Sequence, residues 1–488
     1  MSRNSFTVLA FLACCFVATL ASAAPKPNFL IIFIDDMGYG DLGCYGGHAN
    51  ARTPNIDKLA GEGTRFTSFY AQTVCGPSRG ALMTGRYPVR IGGGWTTNAE
   101  EVTVAEVLKT VGYTTGCVGK WDMSRRRYQE ELVPNSQGFD HYFGALGAND
   151  GNKVTLYRDR KKLETSNDMA GLTKLYTDEA IKFLNDHHEK PFFLYLAHTM
   201  MHVVIDATPK FRDRSGKGLY ADTLEELDHE TGRLLKTLDQ LGLRDDTLVL
   251  LTSDNGPWSN DHKRQRAKNA RHVKWTKGPK LPWGSAGPLR GAKGSTWEGG
   301  MRVPGIIRWP DKVPAGRVNN AIVSTLDVLP TFAALAGATQ AVPTDRIIDG
   351  VNQGKLWLDK SKTGVRDSFL YYDGNELQAI RQGPWKLRLP GLKNLRKWPE
   401  LDRGTQKAEL YNLVDDIGES HNLAAKKPEI VKRMLAAAKA AKSRVQTNVG
   451  LRDLQAPRFD LLIVAEPPIF PAFPNARQRR GLRRCAPL

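Results

Sequence analysis

The sequence predicts an α/β fold: a large, mostly parallel sheet with helices on both faces, followed by a smaller subdomain of antiparallel strands and a helix. Largely apolar runs are typical of strands buried on both faces, and they occur at residues 28–34, 191–197 and 247–253; a further strand is predicted at residues 113–118. Helical patterns separate these runs, at residues 53–60, 102–111, 169–188 and 222–241. Such alternation is typical of a sheet that is covered by helices on both sides.

The chain of 488 residues is long enough for more than one domain. Its later part predicts antiparallel strands at 368–372, 378–381 and 385–389 and a helix at 428–441. We therefore divide the chain into four segments: a leader at 1–23, a main domain at 24–365, a C-terminal subdomain at 366–470 and a flexible basic tail at 471–488.

The leader has the pattern of a secretory signal peptide. Arg3 precedes an almost continuous apolar run over residues 6–20, and Ala21-Ser22-Ala23 forms a cleavage site of small residues. The run is short for a spanning helix, and no later stretch of the sequence reaches about 18 apolar residues. The sequence therefore predicts an exported protein, periplasmic or secreted, without a transmembrane segment.

The chain is strongly basic, with a formal net charge of +18. Such a charge predicts an anionic partner, either a nucleic acid, an anionic membrane or an acidic polymer substrate. A basic surface that only aids solubility is the alternative. Because no nucleic-acid-binding motif accompanies the charge and export argues against that partner, we expect no nucleic acid.

Polar side chains stand at the ends of the predicted strands. Asp35 and Asp36 follow the first run, and Asp254 and Asn255 follow the last. Ligands bind at the carboxyl ends of strands in open α/β sheets, and adjacent carboxylates are costly to bury without a cation. Hard oxygen ligands favour Ca²⁺ or Mg²⁺. Other strand ends carry Lys120, His198 and, shortly after, His202, so the sequence predicts one composite site.

Cys75 lies between an apolar run at 66–71 and helix formers at 80–83, which predicts a strand-to-helix turn. Backbone N–H groups at a helix start favour anions, and a cysteine there tends towards the thiolate. With Arg79 one turn further on, the pattern predicts a reactive or modifiable cysteine beside an anion site. The alternative is an inert cysteine in a core helix. A disulfide between Cys44 and Cys117 is possible but cannot be derived from the sequence.

This segment contains a spaced set of residues: Cys75-x-Pro77-Ser78-Arg79-x-x-x-Met83-Thr84-Gly85. The pattern resembles the signature of the type I sulfatases, arylsulfatase-like enzymes, at every fixed position. The resemblance extends from about Pro27 through the second domain and implies an alkaline-phosphatase-like fold. It also implies that a formylglycine-generating enzyme converts Cys75 to formylglycine, and that the protein hydrolyses sulfate esters on a sulfated carbohydrate.

The resemblance also carries roles to matching positions. One Ca²⁺ ion would be held by Asp35, Asp36, Asp254 and Asn255. Hydrated formylglycine would attack sulfur and later expel sulfate, which divides the reaction into two easier steps. The charge on the transferring group would be stabilised by Arg79, Lys120 and Lys293. The ester oxygen would leave with a proton from Lys293 or His202.

One position departs from the family pattern. The family usually has histidine two residues after the lysine, whereas this chain has Lys120-Trp121-Asp122. That histidine is thought to take a proton when the sulfated intermediate collapses. Asp122 is therefore expected either to act as this base with a raised pKa, or to point away and pair with an arginine among residues 125–127.

A basic segment at residues 262–280 contains no acidic residue and lies between two of the matched motifs. It predicts a substrate rim, with cations for sulfate groups and indoles for sugar faces; a solvated basic loop is the alternative. The candidate contacts are Lys263, Arg264, Trp275 and the preceding Trp258.

Two other functions compete with the sulfatase interpretation. A phosphoester hydrolase of the same superfold generally uses Thr or Ser as nucleophile with two metals. Cys75, and lysines where a second metal would sit, argue against it. A weakly active or inactive binder of sulfated glycans is suggested by the charge of +18 and by Asp122, but the nearly complete set of motifs argues against it.

Overall fold

A long, mostly parallel sheet organises the computed structural model, which describes residues 26–48, 50–93, 95–258, 284–359, 364–392 and 405–447. Its strands are β1 (Asn28–Ile34), β2 (Thr64–Tyr70), β3 (Thr114–Lys120), β4 (His141–Ala145), β5 (Val154–Arg158), β6 (Lys161–Ser166), β7 (Phe192–Ala197), β8 (Thr247–Ser253), β9 (Arg302–Arg308), β10 (Arg317–Asn319) and β11 (Val323–Ser324). The order across the sheet is β10-β2-β9-β8-β1-β7-β3-β4-β5-β6, and β11 pairs with β2.

The middle of the sheet is parallel. Strands β8, β1, β7, β3 and β4 are parallel neighbours, whereas β9 runs antiparallel to both β8 and β2. Ile34 lies opposite Ser253, and Gly119 lies opposite Ala197. The carboxyl ends of the four predicted strands therefore meet at one edge of the sheet, as expected.

Helices cover both faces of this sheet. The helices of the described residues are α1 (Pro54–Gly61), α2 (Cys75–Thr84), α3 (Val104–Lys109), α4 (Leu172–His187), α5 (Leu219–Gln240), α6 (Glu298–Met301), α7 (Val328–Leu335), α8 (Gly354–Leu358) and α9 (Pro428–Thr447), of which α9 packs on a smaller sheet. Leu30, Ile32 and Ile34 of β1 pack in one core with α1, α4 and α5. The alternate β1 residues pack in a second core with α2, α3 and α7. Because both faces of β1 are buried, its sequence is apolar throughout.

A smaller antiparallel sheet follows, with strands β12 (Ser368–Asp373), β13 (Glu376–Gln382), β14 (Trp385–Arg388) and β15 (Glu409–Asn412). Met434 and Ala438 of α9 pack with apolar side chains of this sheet. Buried ions also connect it to the main sheet, because Lys386 Nζ of β14 lies 3.0 Å from the Glu298 carboxylate. The expected combination of antiparallel strands and a helix is confirmed, while the boundary near residue 365 stays a prediction.

Several elements differ from expectation in extent. The helix predicted at 102–111 is shorter, Val104–Lys109, and begins with a capping box between Thr103 and Glu106. Strand β6 was not predicted, because its residues are almost all exposed and it lacks the buried face that makes a strand recognisable. Cys44 and Cys117 are both free thiols, so they form no disulfide.

Some predictions fall on residues that the structure does not describe. The leader at 1–23, the tail at 471–488 and the side chains of Lys263, Arg264 and Trp275 lie outside the described residues. Within the described part of the chain, no helix combines the length and the apolar composition that a membrane crossing requires.

Substitutions at two glycines, Gly119 and Gly112, can test how closely β3 must approach β7. Gly119 and Gly112 both have positive φ angles, where an alanine costs about 1–2 kcal/mol. A Cβ atom at Gly119 would lie 1.9 Å from the carbonyl oxygen of Ala197, whereas at Gly112 it would meet no atom within 4 Å. In urea denaturation, Gly119→Ala should therefore lower the unfolding midpoint much more than Gly112→Ala. Equal midpoints would contradict this close approach.

Candidate active site

Four oxygen-bearing side chains form the floor of the site. Asp35 and Asp36 follow β1, and Asp254 and Asn255 follow the adjacent parallel strand β8. The Asp36 backbone N–H donates to Asp254 Oδ1 at 3.1 Å, and Asn255 Nδ2 donates to Asp36 Oδ1 at 2.7 Å. All four residues are buried. The pairing of β1 with β8 thus brings together two motifs that lie more than two hundred residues apart.

Cys75 is the first residue of α2 and lies directly above this floor. Its Sγ is 3.3 Å from Asp35 Oδ1 and 3.2 Å from Lys293 Nζ. Ser78, one turn later, accepts from the Gln72 backbone N–H at 2.7 Å and donates to the Asp254 backbone carbonyl. The serine of the signature therefore anchors the start of α2 to the end of β8.

The protein groups around Cys75 act against a thiolate. Burial raises the pKa of the Cys75 thiol well above its usual range, and the carboxylates of Asp254 and Asp35 raise it further. The nearby Lys120 and Lys293 act in the opposite direction but do not compensate. The described protein groups therefore oppose a negative charge on the unmodified Cys75 sulfur.

Two cations from different elements neutralise Asp35. Lys120, the last residue of β3, places Nζ 2.5 Å from Asp35 Oδ2. Arg79 of α2 donates to Asp254 Oδ2 at 2.7 Å and lies 3.6 Å from Asp35 Oδ2. Burial alone would raise the pKa of Asp35, but the surrounding cations, Lys120 foremost, hold that pKa well below its usual range. Asp35 is therefore ionised.

A third cation, Lys293, comes from the loop before α6. Its Nζ lies 2.6 Å from Asp36 Oδ1, so it bridges this carboxylate and Cys75. Burial nevertheless raises the pKa of Asp36 to about 8, and burial together with Asp35 raises the pKa of Asp254 to about 6. Protein cations alone therefore leave part of the carboxylate charge uncompensated.

This cluster fits a hard divalent cation. Ligand atoms of Asp35, Asp36, Cys75 and Asp254 all lie within 4.8 Å of one another. Asp36 Oδ2 and Asn255 Oδ1 are buried, and neither meets a hydrogen-bond partner among the described residues. Two buried oxygens without a donor are costly, and a cation bound among carboxylate and amide oxygens removes that cost.

His202 is held in one orientation by a residue that the sequence analysis missed. Its Nδ1 lies 3.0 Å from Asn149 Oδ1 and 2.5 Å from the Val203 carbonyl oxygen. The Asn149 amide in turn donates to the backbone carbonyls of His202 and Val204. Because both neighbours of Nδ1 are acceptors, the ring proton resides on Nδ1, and Nε2 lies 3.8 Å from Asp36 Oδ2. Asn149 is in a loop without any motif, so no sequence signal identified it.

Asp122 forms ion pairs with two cations, and its pKa is lowered rather than raised. Arg126 Nε donates to its Oδ1 at 2.9 Å, and Lys120 Nζ lies 3.3 Å from its Oδ2. Burial raises the pKa of Asp122, but Arg126 and Lys120 outweigh burial and lower this pKa below its usual value. Of the two expectations for Asp122, the geometry agrees with pairing to an arginine among residues 125–127.

The predicted rim is described only in part. Trp258 is buried, with Lys293 Nζ 4.5 Å from its ring centroid and the His202 ring at 5.9 Å. It therefore packs against both Lys293 and His202. His198 is also buried, and burial lowers its pKa to about 3, so its ring is neutral.

Comparisons with known proteins agree with this geometry. The family model described as Sulfatase matches residues 27–338. A second model, described as N-sulphoglucosamine sulphohydrolase, C-terminal, matches residues 292–444. Together these matches include every site residue described above and the smaller sheet.

Individual relatives are similar over most of the chain. N-acetylgalactosamine-6-sulfatase of Mus musculus is 36% identical over 423 residues, which cover 79% of this chain and 76% of the relative. Arylsulfatase A of Homo sapiens is 34% identical over 472 residues, which cover 86% and 88% of the two chains. A Bacteroides thetaiotaomicron sulfatase structure, described with the metabolism of multiple glycosaminoglycans, has a TM-score of 0.75 at 28% identity and covers 86% of this chain and 100% of its own.

The metal interpretation makes a prediction about stability. Calcium added to metal-free protein should raise the melting temperature, because a ligand of the native state at 100 times its Kd contributes about 2.7 kcal/mol. Asp36→Asn should remove most of this increment, since it replaces a carboxylate of the cluster. Differential scanning fluorimetry with and without calcium measures the increment for each protein separately.

Asp186→Asn is the matched control, because Asp186 is a surface carboxylate that pairs with Lys182. It should show the full calcium increment. An Asp36→Asn protein that responds to calcium as strongly as the wild type would contradict the metal site.

Proposed function

This chain belongs to the sulfatase family, and on that premise we propose that its Cys75 pocket hydrolyses a sulfate ester of a carbohydrate and releases inorganic sulfate. The observation that carries the proposal is the position of Cys75 Sγ, between the Asp35 carboxylate at 3.3 Å and the Lys293 ammonium at 3.2 Å. A proton acceptor and a proton donor thus flank the side chain that would be modified. The carbohydrate is supported by the named substrates of the relatives and by the net charge of +18.

Formylglycine, made from Cys75 by a formylglycine-generating enzyme, would supply a hydrated aldehyde as the nucleophile toward sulfur. The chain's own residues manage the protons. Asp35 is ionised and is placed to accept a proton from a hydroxyl at position 75. The protein groups around an unmodified Cys75 oppose the thiolate that would be needed for attack, which also favours the modified residue.

The bound metal would supply positive charge beside the transferring sulfuryl group. We propose Ca²⁺, held by Asp35, Asp36, Asp254 and Asn255. Arg79, Lys120 and Lys293 surround the same place from α2, β3 and the loop before α6. Since these cations are fixed in advance by buried ion pairs, they need little reorganisation as charge develops.

Lys293 is proposed as the donor of the proton that the leaving ester oxygen takes. Its ammonium group lies beside Cys75, whereas His202 keeps its ring proton on Nδ1, which faces Asn149. His202 therefore presents a hydrogen-bond acceptor at Nε2, and it does not suit the role of acid in this tautomer.

A phosphoester hydrolase with two metals fits the pocket less well. Lys120 Nζ lies 2.5 Å from Asp35, and Lys293 Nζ lies 2.6 Å from Asp36. These ammonium groups occupy positions next to the carboxylates that a second cation would neutralise.

We further propose that the leader at residues 1–23 directs the protein out of the cytoplasm, because Arg3 and the apolar run at 6–20 have the pattern of a signal peptide.

The proposal predicts sulfate release rather than phosphate release. Protein co-expressed with a formylglycine-generating enzyme and supplied with calcium should hydrolyse 4-nitrophenyl sulfate much faster than 4-nitrophenyl phosphate. Sulfate release from a panel of sulfated saccharides then identifies the natural class. Absorbance of nitrophenolate and ion chromatography of sulfate measure the two reactions.

Two variants serve as controls for this experiment. Cys75→Ala should abolish sulfate release from every substrate. Lys293→Ala should lose about 10²–10⁴-fold on a sugar sulfate and clearly less on the nitrophenyl ester, whose leaving group needs little protonation. Phosphate release that exceeds sulfate release would overturn the proposed function, and equal losses in Lys293→Ala would exclude Lys293 as the acid.

Asp122 is predicted to act through pairing and not as a base. Asp122→Asn leaves Lys120 and Arg126 without their shared carboxylate, so the free energy of unfolding should fall by about 3 kcal/mol. The kcat should stay within about tenfold of the wild-type value, whereas removal of a general base costs about 10²–10⁴-fold. Urea denaturation and steady-state kinetics measure the two quantities.

The matched control is Asp150→Asn, which removes the other carboxylate on Arg126 and leaves the Asp122 pair intact. Its effect on stability should be small, because the Asp150 side chain is 34% exposed. A loss of kcat above a hundredfold in Asp122→Asn alone would make Asp122 the base.

A further inference from the structure

A line of ion pairs leads from the buried site to the surface. Lys120 Nζ contacts Asp35 at 2.5 Å and Asp122 at 3.3 Å, and Asp122 accepts from Arg126 at 2.9 Å. Lys120 and Asp122 are fully buried, whereas the Arg126 side chain is 32% exposed. Arg126 is therefore the point at which this line of contacts reaches solvent.

An exposed indole lies against Arg126. The guanidinium carbon of Arg126 is 4.7 Å from the Trp95 ring centroid, and Trp95 is 37% exposed. The backbone around Trp95 is also fixed. The Arg125 N–H donates to the Trp95 carbonyl at 3.0 Å, and the next residue, Thr96, forms a β-bridge with Ser124. Trp95 is thus held in place beside the segment that follows β3.

A partly exposed carboxylate completes this surface. Asp150 accepts from Arg126 Nη1 at 2.7 Å and is 34% exposed. The preceding residue, Asn149, holds His202. The surface formed by Trp95, Arg126 and Asp150 is therefore joined to the active site on two sides, through Asp122 and through Asn149.

We propose that Trp95, Arg126 and Asp150 form a sugar platform that binds the pyranose ring next to the scissile sulfate. The inference rests on the proposed function and names the part of the substrate that this surface recognises. The indole offers an apolar face with negative π-density to the C–H groups of a sugar ring. Arg126 and Asp150 offer a donor and an acceptor to ring hydroxyl groups.

Charge balance favours a neutral ring face over a second sulfate group. Arg126 lies between the carboxylates of Asp122 and Asp150, at 2.9 Å and 2.7 Å. Both carboxylates already pair with this guanidinium, so Arg126 has little uncompensated positive charge to offer a further anion. Hydroxyl groups carry no charge and are compatible with this mixed surface.

The test compares ligands with and without a ring. We measure two constants for the wild type, Trp95→Ala and Trp95→Phe. The first is the KM for the best saccharide of a panel that includes N-acetylgalactosamine 6-sulfate, and the second is the Ki for inorganic sulfate. Trp95→Ala should raise KM about tenfold, which corresponds to about 1.4 kcal/mol, and leave the sulfate Ki within about twofold. Trp95→Phe should recover most of the affinity because it restores an aromatic face.

Trp309→Ala is the matched control. Trp309 is a partly exposed tryptophan whose Nε1 donates to the Asp245 carbonyl, and it follows Arg308, which pairs with Val249 near the amino end of β8. It therefore lies at the end of the sheet opposite the site and should leave both constants unchanged.

Calorimetric titration of the same saccharides into Cys75→Ala, with and without Trp95→Ala, separates this inference from the proposed function. A saccharide Kd that rises tenfold with Trp95→Ala supports the platform, even if the wild type releases no sulfate. The absence of sulfate release would overturn only the proposed function. Unchanged saccharide binding, or no binding of any saccharide, would overturn the platform. Equal losses for saccharide and inorganic sulfate would show a structural role. A loss confined to saccharides with a second sulfate group would replace the platform by an anion site.

Discussion

The compensation of buried carboxylates is the constraint on which this structure depends. Asp35, Asp36 and Asp254 stand together at the ends of β1 and β8, fully buried. Isolated charges at such depth would be prohibitively costly. Three cations from three different elements contact them directly, namely Arg79, Lys120 and Lys293. The fold must therefore bring α2, β3 and the loop before α6 to the same point. The ion pairs of the site in turn hold these three elements together.

The roles of one signature residue, Ser78, and of Gly119 in β3 are explained by this assembly. Ser78 joins α2 to the backbone of β8 and to Gln72, so it fixes the start of the helix. Gly119 allows β3 to lie close to β7, which sets the position from which Lys120 extends. These residues contact no reacting atom; they position the ones that do. A change in either would displace a cation and leave a carboxylate uncompensated.

The sequence predicted the parts of the fold and site that have a strong local pattern. β1, β7 and β8 were recognisable because strands buried on both faces are apolar throughout, and the polar residues at their ends were placed correctly at one edge. By contrast, Asn149 and Trp95 lie in irregular loops, where no periodicity indicates which side chain faces the site. For Cys75, the helix position predicts a lower thiol pKa, whereas burial and the Asp254 carboxylate, which the local sequence does not reveal, act to raise that pKa.

The aspartate at position 122 connects these observations. A histidine there would leave Lys120 with one carboxylate partner, Asp35, whereas Asp122 gives it a second and recruits Arg126 as its own partner. Arg126 in turn places its guanidinium over Trp95 and contacts Asp150. A buried charge cannot be introduced without compensation, so the departure at one position extends to the surface through a series of ion pairs. The residue that departs from the family pattern thereby connects the buried carboxylates to Trp95, Arg126 and Asp150, the surface that we propose for the sugar ring.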